Sequence, residues 1–279
     1  MKTKKSQFLQ DVLVVAAVVL ILIILLFPFV WMVSSSLKPK TEIFSKNLEI
    51  IPRNATLANY KKLFFTTDFP FFFLNSFIVV SASVLFTVVI SALAAYSFSR
   101  YKFPGKDNLL VVILFSQFFP WIILVTPLYL VFQKLNLINN YGGLIILYIA
   151  ITIPFCIFML IGYFKSVTKN LDDAGRIDGC SEIGVLFRIV LPVSWPGLVA
   201  ITAYAFIIGW NEFLFALTFM TKTKMKTVPV GLATLFGEFG IEWDIIMSAA
   251  SMATVPAVIV FLFLQKYLVK GLTAGAVKG

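Results

Sequence analysis

The sequence VLVVAAVVLILIILLFPFVWMV, at residues 12–33, contains no charged side chain. A helix that crosses the hydrocarbon core of a bilayer, which is about 30 Å thick, needs about 20 apolar residues. Three lysines, Lys2, Lys4 and Lys5, precede the stretch, as they would in a secretory signal peptide. The apolar run is longer than a signal peptide requires, and no small-residue cleavage site follows it. We therefore expect an uncleaved transmembrane helix over about 11–37.

Five further apolar stretches have the length of a membrane span. They cover residues 72–98, 109–132, 143–164, 195–220 and 246–267. Together with the first, they predict an all-α integral membrane protein with six transmembrane helices. Prolines in the third, fourth and sixth stretches remove helix hydrogen bonds and predict kinks, either around a transport pathway or from ordinary helix packing. These prolines are Pro120, Pro127, Pro154 and Pro256.

Composition excludes several other classes of protein. Of the residues, 60% are hydrophobic and 13% are charged, and the mean hydropathy is +0.96. A soluble domain carries about 25% charged residues, so much of this surface must face lipid. The net charge of +10 comes from Lys and Arg between the apolar spans, as in membrane flanks, rather than from a nucleic-acid-binding stripe. Without histidine, a His-based catalytic triad or zinc site is excluded, and Cys156 and Cys180 lie in environments too different for a disulfide.

The distribution of basic residues predicts that both termini lie inside. Short loops dominate this rule, and the short loop holding Arg100, Lys102 and Lys106 follows it. The predicted organisation is an N-terminal cytoplasmic tail with the first span (1–37), an extracytoplasmic loop (38–71), a core with five spans (72–267) and a cytoplasmic tail (268–279).

The inner loop between the fourth and fifth spans, residues 165–196, carries the most specific pattern in the sequence. Charged and apolar residues recur at spacings of three and four, which predicts one or two short helices on the membrane face. Gly179 falls where a turn between them is needed, and Pro192 is expected to end the helical pattern at Leu191. Such a segment suits a groove on a soluble motor, whereas the plainer interpretation is a solvated connection between two spans.

The sequence LDDAGRIDGC at 171–180, followed by IVLP at 189–192, resembles the cytoplasmic signature of binding-protein-dependent ABC importer permeases. That signature reads Glu-Ala-Ala, three residues, Gly, nine residues, Ile, one residue and Leu-Pro. Asp173 stands in place of the Glu and Gly175 in place of the second Ala, so charge sign and small size are kept. The resemblance implies that coupling to ATPase subunits rests on Asp172, Asp173, Ala174, Gly175, Arg176, Asp178, Gly179, Ile189, Leu191 and Pro192.

Further motifs resemble the carbohydrate branch of these permeases, and its maltose-type second permease subunit in particular. They include Thr126-Pro-Leu-Tyr129 in the third span, Trp210-Asn-Glu-Phe213 in the fifth and Gly271-Leu-Thr-Ala-Gly275 in the tail. The resemblance implies a type I ABC importer permease fold in the cell membrane of a bacterium or archaeon, and import of a sugar or oligosaccharide. It also implies three kinds of partner: a second permease subunit that is homologous but not identical, two cytoplasmic ATPase subunits and an extracytoplasmic solute-binding protein.

The chain itself is not expected to be an enzyme. Its sequence contains no Gly-x-x-x-x-Gly-Lys-Ser/Thr phosphate loop. We therefore expect ATP and Mg²⁺ in the partner ATPase subunits, and no cofactor, metal or catalytic residue in this chain.

Trp210, Asn211 and Glu212 are candidates for the solute path. A carboxylate inside a span is costly unless it faces the bundle interior or water, and these three side chains suit a sugar. Alternatively, Glu212 lies near the outer interface and only caps packing there. For the whole chain, the open alternatives are a permease for glycerol phosphate, amino acids or phosphate, a stand-alone channel, a membrane enzyme and a scaffold. The lack of Lys or Arg in the middle of a span favours a neutral solute.

Overall fold

A computed structural model describes residues 4–45, 49–236 and 242–276. These residues form helices and no strand, as the sequence predicts. The helices are α1 (Lys4–Ser36), α2 (Lys40–Ile43), α3 (Ala58–Thr66), α4 (Phe69–Arg100), α5 (Lys106–Phe115), α6 (Trp121–Lys134), α7 (Tyr141–Ser166), α8 (Lys169–Ile177), α9 (Glu182–Val185), α10 (Leu191–Val193), α11 (Trp195–Asn211), α12 (Leu214–Phe219), α13 (Val228–Thr234) and α14 (Trp243–Ala276). Ser116–Phe118 and Thr223–Met225 form 3₁₀ turns, and Leu186–Val190 forms a π-helical turn.

Within these ranges, four helices are continuous, long and apolar enough to cross a membrane. They are α1, α4, α7 and the part of α14 from Trp243 to Gln265, and they correspond to the predicted first, second, fourth and sixth spans. Pro154 lies inside α7 and Pro256 inside α14, and neither interrupts its helix.

The third predicted span is a sharply bent helix pair. The segment ending at Phe118 meets α6 at 98°, with Pro120 between them. Phe119 is extended (φ −75°, ψ 126°) because a proline disfavours helical backbone in the residue before it. Pro120 therefore turns the chain, whereas Pro127 lies inside α6. A second pair, Glu182–Val193 with α11, is bent by 83°, and the described chain has six spans if each bent pair counts as one.

Three boundaries differ from the prediction. α11 ends at Asn211, and α12 follows after a short break, so the predicted stretch 195–220 is not one continuous helix. Pro192 does not end the preceding helical pattern, because it occupies the first turn of α10, where a proline has no helical N–H bond to lose. The predicted tail 268–279 is helical as far as Ala276.

The chain divides into two compact units, one of residues 1–67 with 232–254 and the other of residues 68–231 with 255–279. In the first unit, the segment after α1 folds back onto the end of that helix. The Asn59 amide donates to the backbone oxygens of Ser36 (2.9 Å) and Lys38 (2.8 Å). The Lys62 ammonium pairs with Glu242 (2.7 Å). Polar contacts within the first unit therefore hold Asn59 and Lys62, which lie in the predicted loop 38–71.

In the second unit, α4 packs along α7, and α11 packs against both. A buried hydrogen bond joins the hydroxyls of Thr87 and Thr152 (2.9 Å), linking α4 to α7. The core of this unit includes Ala95, Tyr96, Leu160, Phe164, Val185, Leu186, Ile201 and Ala205. Because Val185 and Leu186 belong to the loop 165–196, that loop is packed onto the same core as the three helices.

Candidate coupling site

The helix α8 ends in a turn that only certain residues can form. The Cys180 N–H donates to the oxygen of Gly175 (2.9 Å), and the Gly179 N–H donates to the oxygen of Arg176 (3.0 Å). This pair of bonds is the Schellman arrangement, in which the residue after the helix adopts a left-handed backbone. Gly179 has a φ of +82°, which glycine adopts without steric cost. The turn predicted at Gly179 is therefore present.

One face of α8 is buried through a charged contact with the end of α4. The guanidinium of Arg100 contacts the carboxylate of Asp172 at 2.5 Å (Nε to Oδ2) and 3.2 Å (Nη2 to Oδ1). The two side chains are 4% and 1% exposed. The same guanidinium donates to the backbone oxygens of Phe164 (3.0 Å) and Val167 (3.2 Å), at the end of α7. Asp172 therefore faces inward, and Arg100 connects three segments of the unit.

The opposite face of α8 carries an exposed charge network. Arg176 contacts Asp173 (2.6 Å) and Glu182 (2.7 Å). Glu182 also accepts hydrogen bonds from the hydroxyls of Tyr101 (2.7 Å) and Tyr96 (3.4 Å). The hydrogen bond from Arg176, followed by that from Tyr101, lowers the pKa of Glu182 to about 2.

The sign of this pKa shift sets where the network titrates. Because the folded-state pKa of Glu182 lies below its ordinary value of 4.5, its contribution to stability is complete above that value and is lost as the pH falls towards 2. The contribution is small, since the Glu182 side chain is 47% exposed and solvent screens the pair. Glu182 therefore stays ionised throughout the physiological pH range.

Gly175 lets α8 approach the π-helical turn closely. A Cβ atom at this position would lie 2.3 Å from Cδ1 of Ile189. Ile189 and Leu191 are half-buried and pack against the core of the unit, whereas Pro192 is exposed. Gly175 stands where the family signature has its second Ala. The structure explains this difference, because Ile189 fills the space that the alanine methyl group would occupy.

The loop also exposes apolar side chains. Ile177 is 87% exposed and Ile183 is 67% exposed. Ala174 and Asp178 are exposed beside them, and the Asp173 side chain is 64% exposed. Of the predicted coupling residues, Asp172 and Gly175 thus face the protein, and Asp173, Ala174, Arg176, Asp178 and Gly179 face outward.

The second group of predicted site residues is not brought together. Trp210 is buried and stacks on Phe206, with ring centroids 5.5 Å apart. The Asn211 amide donates to the Ile207 oxygen of its own helix (2.8 Å). The Glu212 carboxylate accepts the N–H groups of Phe215 (2.7 Å) and Ala216 (3.0 Å), which caps the start of α12. The Glu212 carboxylate therefore caps a helix, and the role of Trp210, Asn211 and Glu212 in the solute path stays a prediction.

Two charged residues that contact side chains of α8, Arg100 and Glu182, were not predicted as site residues. Arg100 is visible in the sequence only as a basic residue at the end of a span, and its partner Asp172 lies 72 positions away. Glu182 had a local signal, because it follows Ser181, whose hydroxyl accepts the Gly184 N–H (3.2 Å) and caps α9. A serine followed by an acidic residue marks a helix start, although it does not identify the ion-pair partner.

The comparison with protein families decides the identity of the chain. A family model described as "Binding-protein-dependent transport system inner membrane component" matches residues 87–274, which is more than half of the chain. The chain belongs to this family. In this permease, the matched range includes Arg100, the whole loop 165–196 and the break at Glu212.

Relatives and a solved structure agree with this assignment. The permease is 40% identical over 278 residues to the trehalose/maltose transport system permease protein MalG of Thermococcus litoralis, covering 99% of each chain. It is 37% identical over 254 residues to the sulfoquinovosyl glycerol transport system permease protein SmoH of Agrobacterium fabrum, covering 91% of this chain and 89% of that protein. The predicted resemblance to carbohydrate-branch permeases is confirmed.

The fold of the permease is also found in a solved structure. A crystal structure of a bacterial ABC transporter involved in the import of the acidic polysaccharide alginate matches with a TM-score of 0.82 and 19% identity, covering 96% of this chain and 99% of that chain. At this identity the likeness shows the fold alone. It confirms the predicted type I ABC importer permease fold.

Proposed function

We propose that this permease is the membrane subunit of an ATP-driven importer that moves a sugar or oligosaccharide delivered by an extracytoplasmic binding protein. The family description supports the dependence on a binding protein. The relatives named for trehalose/maltose and for sulfoquinovosyl glycerol support a solute built on a sugar. The substrate class is therefore a glycoside or small oligosaccharide.

The observation that carries the proposal is the two-sided construction of α8. Its inner face is fixed by the buried contact of Asp172 with Arg100, its outer face presents Ile177 to solvent, and Ile183 of α9 is exposed as well. Exposed apolar side chains on an otherwise polar segment mark a surface that binds another protein. The proposed occupant is a groove on a cytoplasmic ATPase subunit, with Asp173 and Arg176 at its rim.

The energy source lies outside the chain in this proposal. The sequence has no phosphate loop, so ATP and Mg²⁺ bind two partner ATPase subunits, and the permease is not an enzyme. Closure of the ATPase pair moves the loop 171–192, and the helices alternate between inward-open and outward-open states. Such a change is a two-state equilibrium biased by a ligand.

The proposal also fixes the orientation. Both termini and the loop 165–196 face the cytoplasm, the segment 38–71 faces outward, and the complex lies in the cell membrane of a bacterium or archaeon. A second permease subunit, homologous but not identical, completes the pathway. Asn211 is the exposed member of the candidate solute-path residues, whereas Trp210 and Glu212 shape the break at which the path would pass.

Co-purification and uptake test this function directly. The tagged permease is expressed with its native neighbouring genes, purified in mild detergent and reconstituted in proteoliposomes with the candidate binding proteins. Uptake of radiolabelled maltose, trehalose and sulfoquinovosyl glycerol is measured with ATP, and with a non-hydrolysable analogue as control. We expect an ATPase subunit and a second permease to co-purify, and one loaded binding protein to stimulate hydrolysis and uptake. A chain that purifies alone, or moves solute equally without hydrolysis, would establish a stand-alone channel instead.

A further inference from the structure

We propose that Arg100 is a positioning residue that locks the coupling helix α8 to the ends of α4 and α7, so that a displacement of α8 moves these helices together. This inference rests on the proposed function of the loop 165–196. Arg100 is the last residue of α4, and its guanidinium reaches the carboxylate of Asp172 and two backbone oxygens, that of Phe164 in the last turn of α7 and that of Val167 just after α7.

The geometry uses the particular chemistry of arginine. A guanidinium presents five N–H donors in a rigid planar fork, whereas a lysine ammonium is a compact point charge. The last carbonyl groups of a helix lack helical partners and carry partial negative charge. Arg100 donates from a single rigid group to the backbone oxygens of Phe164 and Val167 at the end of α7 and to the carboxylate of Asp172. A lysine at this position would keep the charge but lose the fixed direction.

Stability alone does not explain a buried ion pair. Replacing such a pair by well-packed apolar residues is often neutral or stabilising, because the charges lose hydration when buried. What the pair supplies is orientation, since Arg100 reaches from α4 to both the end of α7 and α8 in one arrangement. The pair Arg176–Glu182 on the outer face cannot do this as firmly, because both side chains are more than a third exposed.

The contacts of Arg100 join α8 to the helices that form the core of the second unit. α4 and α7 are joined to each other by the buried Thr87–Thr152 hydrogen bond, and α11 packs against both. Force applied to the exposed face of α8 therefore reaches the bundle through Arg100. Apart from this contact, α8 is held by its packing against Val185 and Ile189 and by the exposed charge network.

The test separates orientation from stability by removing both charges at once. The reconstituted importer, with all its subunits, is prepared with Arg100→Met, with Arg100→Met/Asp172→Leu and with Arg100→Lys. Lys102→Met, at an exposed position two residues away, is the matched control for loss of one positive charge. The measured quantity is the number of maltose or trehalose molecules imported per ATP hydrolysed, alongside the yield of assembled complex.

Arg100→Met should reduce assembly, because Asp172 is left buried and unpaired. The double variant contains no unpaired charge and should assemble like wild type, yet import per ATP should fall about tenfold, within the usual range of coupling between sites. Arg100→Lys should assemble, and its import per ATP should lie between that of the wild type and that of the double variant. Lys102→Met should behave as wild type. A double variant with wild-type import per ATP would overturn the proposal, and so would an unaffected Arg100→Lys.

A structural readout keeps the lock testable if the wild-type complex imports neither sugar, an outcome that would count against the proposed solutes or function. Amide hydrogen exchange is measured on the same complexes. The lock predicts faster exchange across α8 in the double variant, with exchange in α11 unchanged. Equal exchange in α8 of the double variant and the wild type would show that Arg100 does not position this helix.

Discussion

The helix α4 carries a clamp near each of its ends, and the two clamps use different chemistry. Near its beginning, the buried Asn75 amide donates to the backbone oxygens of Lys224 and Lys226, both at 2.9 Å. At its end, the Arg100 guanidinium holds Asp172 and two backbone oxygens at the end of α7. The segment 221–227 held by Asn75 contains Lys222, Lys224 and Lys226. A neutral amide donor avoids electrostatic repulsion from these lysines. The loop held by Arg100 offers a carboxylate, so a cation is favoured.

The difference teaches how the two regions should respond to substitution. Loss of a neutral clamp costs the desolvation of the groups left without partners. Loss of one half of a buried ion pair leaves an uncompensated charge, which costs more. The end of α4 that we propose to couple α8 to the bundle is thus the end at which loss of the side-chain contact costs more free energy. The predictions below test this comparison in decreasing order of expected effect.

The largest effect is expected for Asp172→Ala, which leaves the Arg100 guanidinium buried without its carboxylate. The free energy of unfolding should fall by about 3 kcal/mol, the lower end for a broken buried pair because two carbonyl contacts remain. Chemical or thermal unfolding of the purified permease in detergent measures it. Asp173→Ala, on the exposed face of the same helix, is the control and should cost at most about 1 kcal/mol. Equal losses for the two aspartates would remove the distinction between the faces of α8.

The second effect is expected for Asn75→Leu at the opposite end of α4. Two backbone oxygens lose their donor, and the Tyr141 hydroxyl, which donates to the Asn75 side chain at 2.6 Å, loses its acceptor. The cost should be about 1–3 kcal/mol. Hydrogen exchange should rise in residues 221–227 and stay unchanged in α8. The exposed Asn108→Leu serves as the matched control, and a larger cost for Asn75→Leu than for Asp172→Ala would reverse the ranking of the two clamps.

A smaller effect is expected at Gly179, where the backbone itself forms the turn. A β-branched residue is strained at a φ of +82°, so Gly179→Val should lower stability by about 1–2 kcal/mol and reduce import per ATP. Asn tolerates the left-handed region better, so Gly179→Asn should lie between glycine and valine. Unfolding and transport assays on the three proteins check this order, and a valine variant that behaves like wild type would show that the turn is not rigid.

The smallest effect is expected for Gly175→Ala, which restores the residue type of the family signature. The new methyl group would meet Cδ1 of Ile189, the flexible end of a side chain, so the cost should be about 1 kcal/mol. Ile189→Val removes Cδ1 and should relieve the clash. The cost of the double variant should therefore be less than the sum of the two single costs in a double-mutant cycle. Strict additivity would show that Ile189 does not limit the approach of α8.

The sequence predicted the parts of this permease that depend on local pattern. Apolar run length identified the spans, and motif spacing identified the loop 165–196 and its turn at Gly179. The same patterns did not locate the sharp turn at Pro120 as a break between two helices, or the end of α11 at Asn211. The pattern of apolar residues predicts that a span is helical. Where the helix breaks depends on whether neighbouring groups can form hydrogen bonds with the backbone groups that the break leaves unpaired.

The two candidate sites differ in how well their sequence motifs predicted where the side chains lie. In the loop 165–196, the motif residues 172–176 lie on a buried and an exposed side of α8, so periodicity carried most of the information there. At Trp210, Asn211 and Glu212, the helix ends within the motif, and three consecutive side chains take three separate roles. Adjacent residues share a site only if the backbone between them directs them to the same place.

By itself, the sequence determined that the protein is a helical membrane permease with one specialised loop, because hydrophobic length and motif spacing are properties of contiguous residues. Only the tertiary structure decided that Asp172 faces inward while Asp173 faces outward, and that Arg100 holds the loop. It also decided that Glu212 caps a helix. The physical reason is that burial of a charge depends on a partner brought close by helix packing, and Arg100 and Asp172 lie 72 positions apart in the chain.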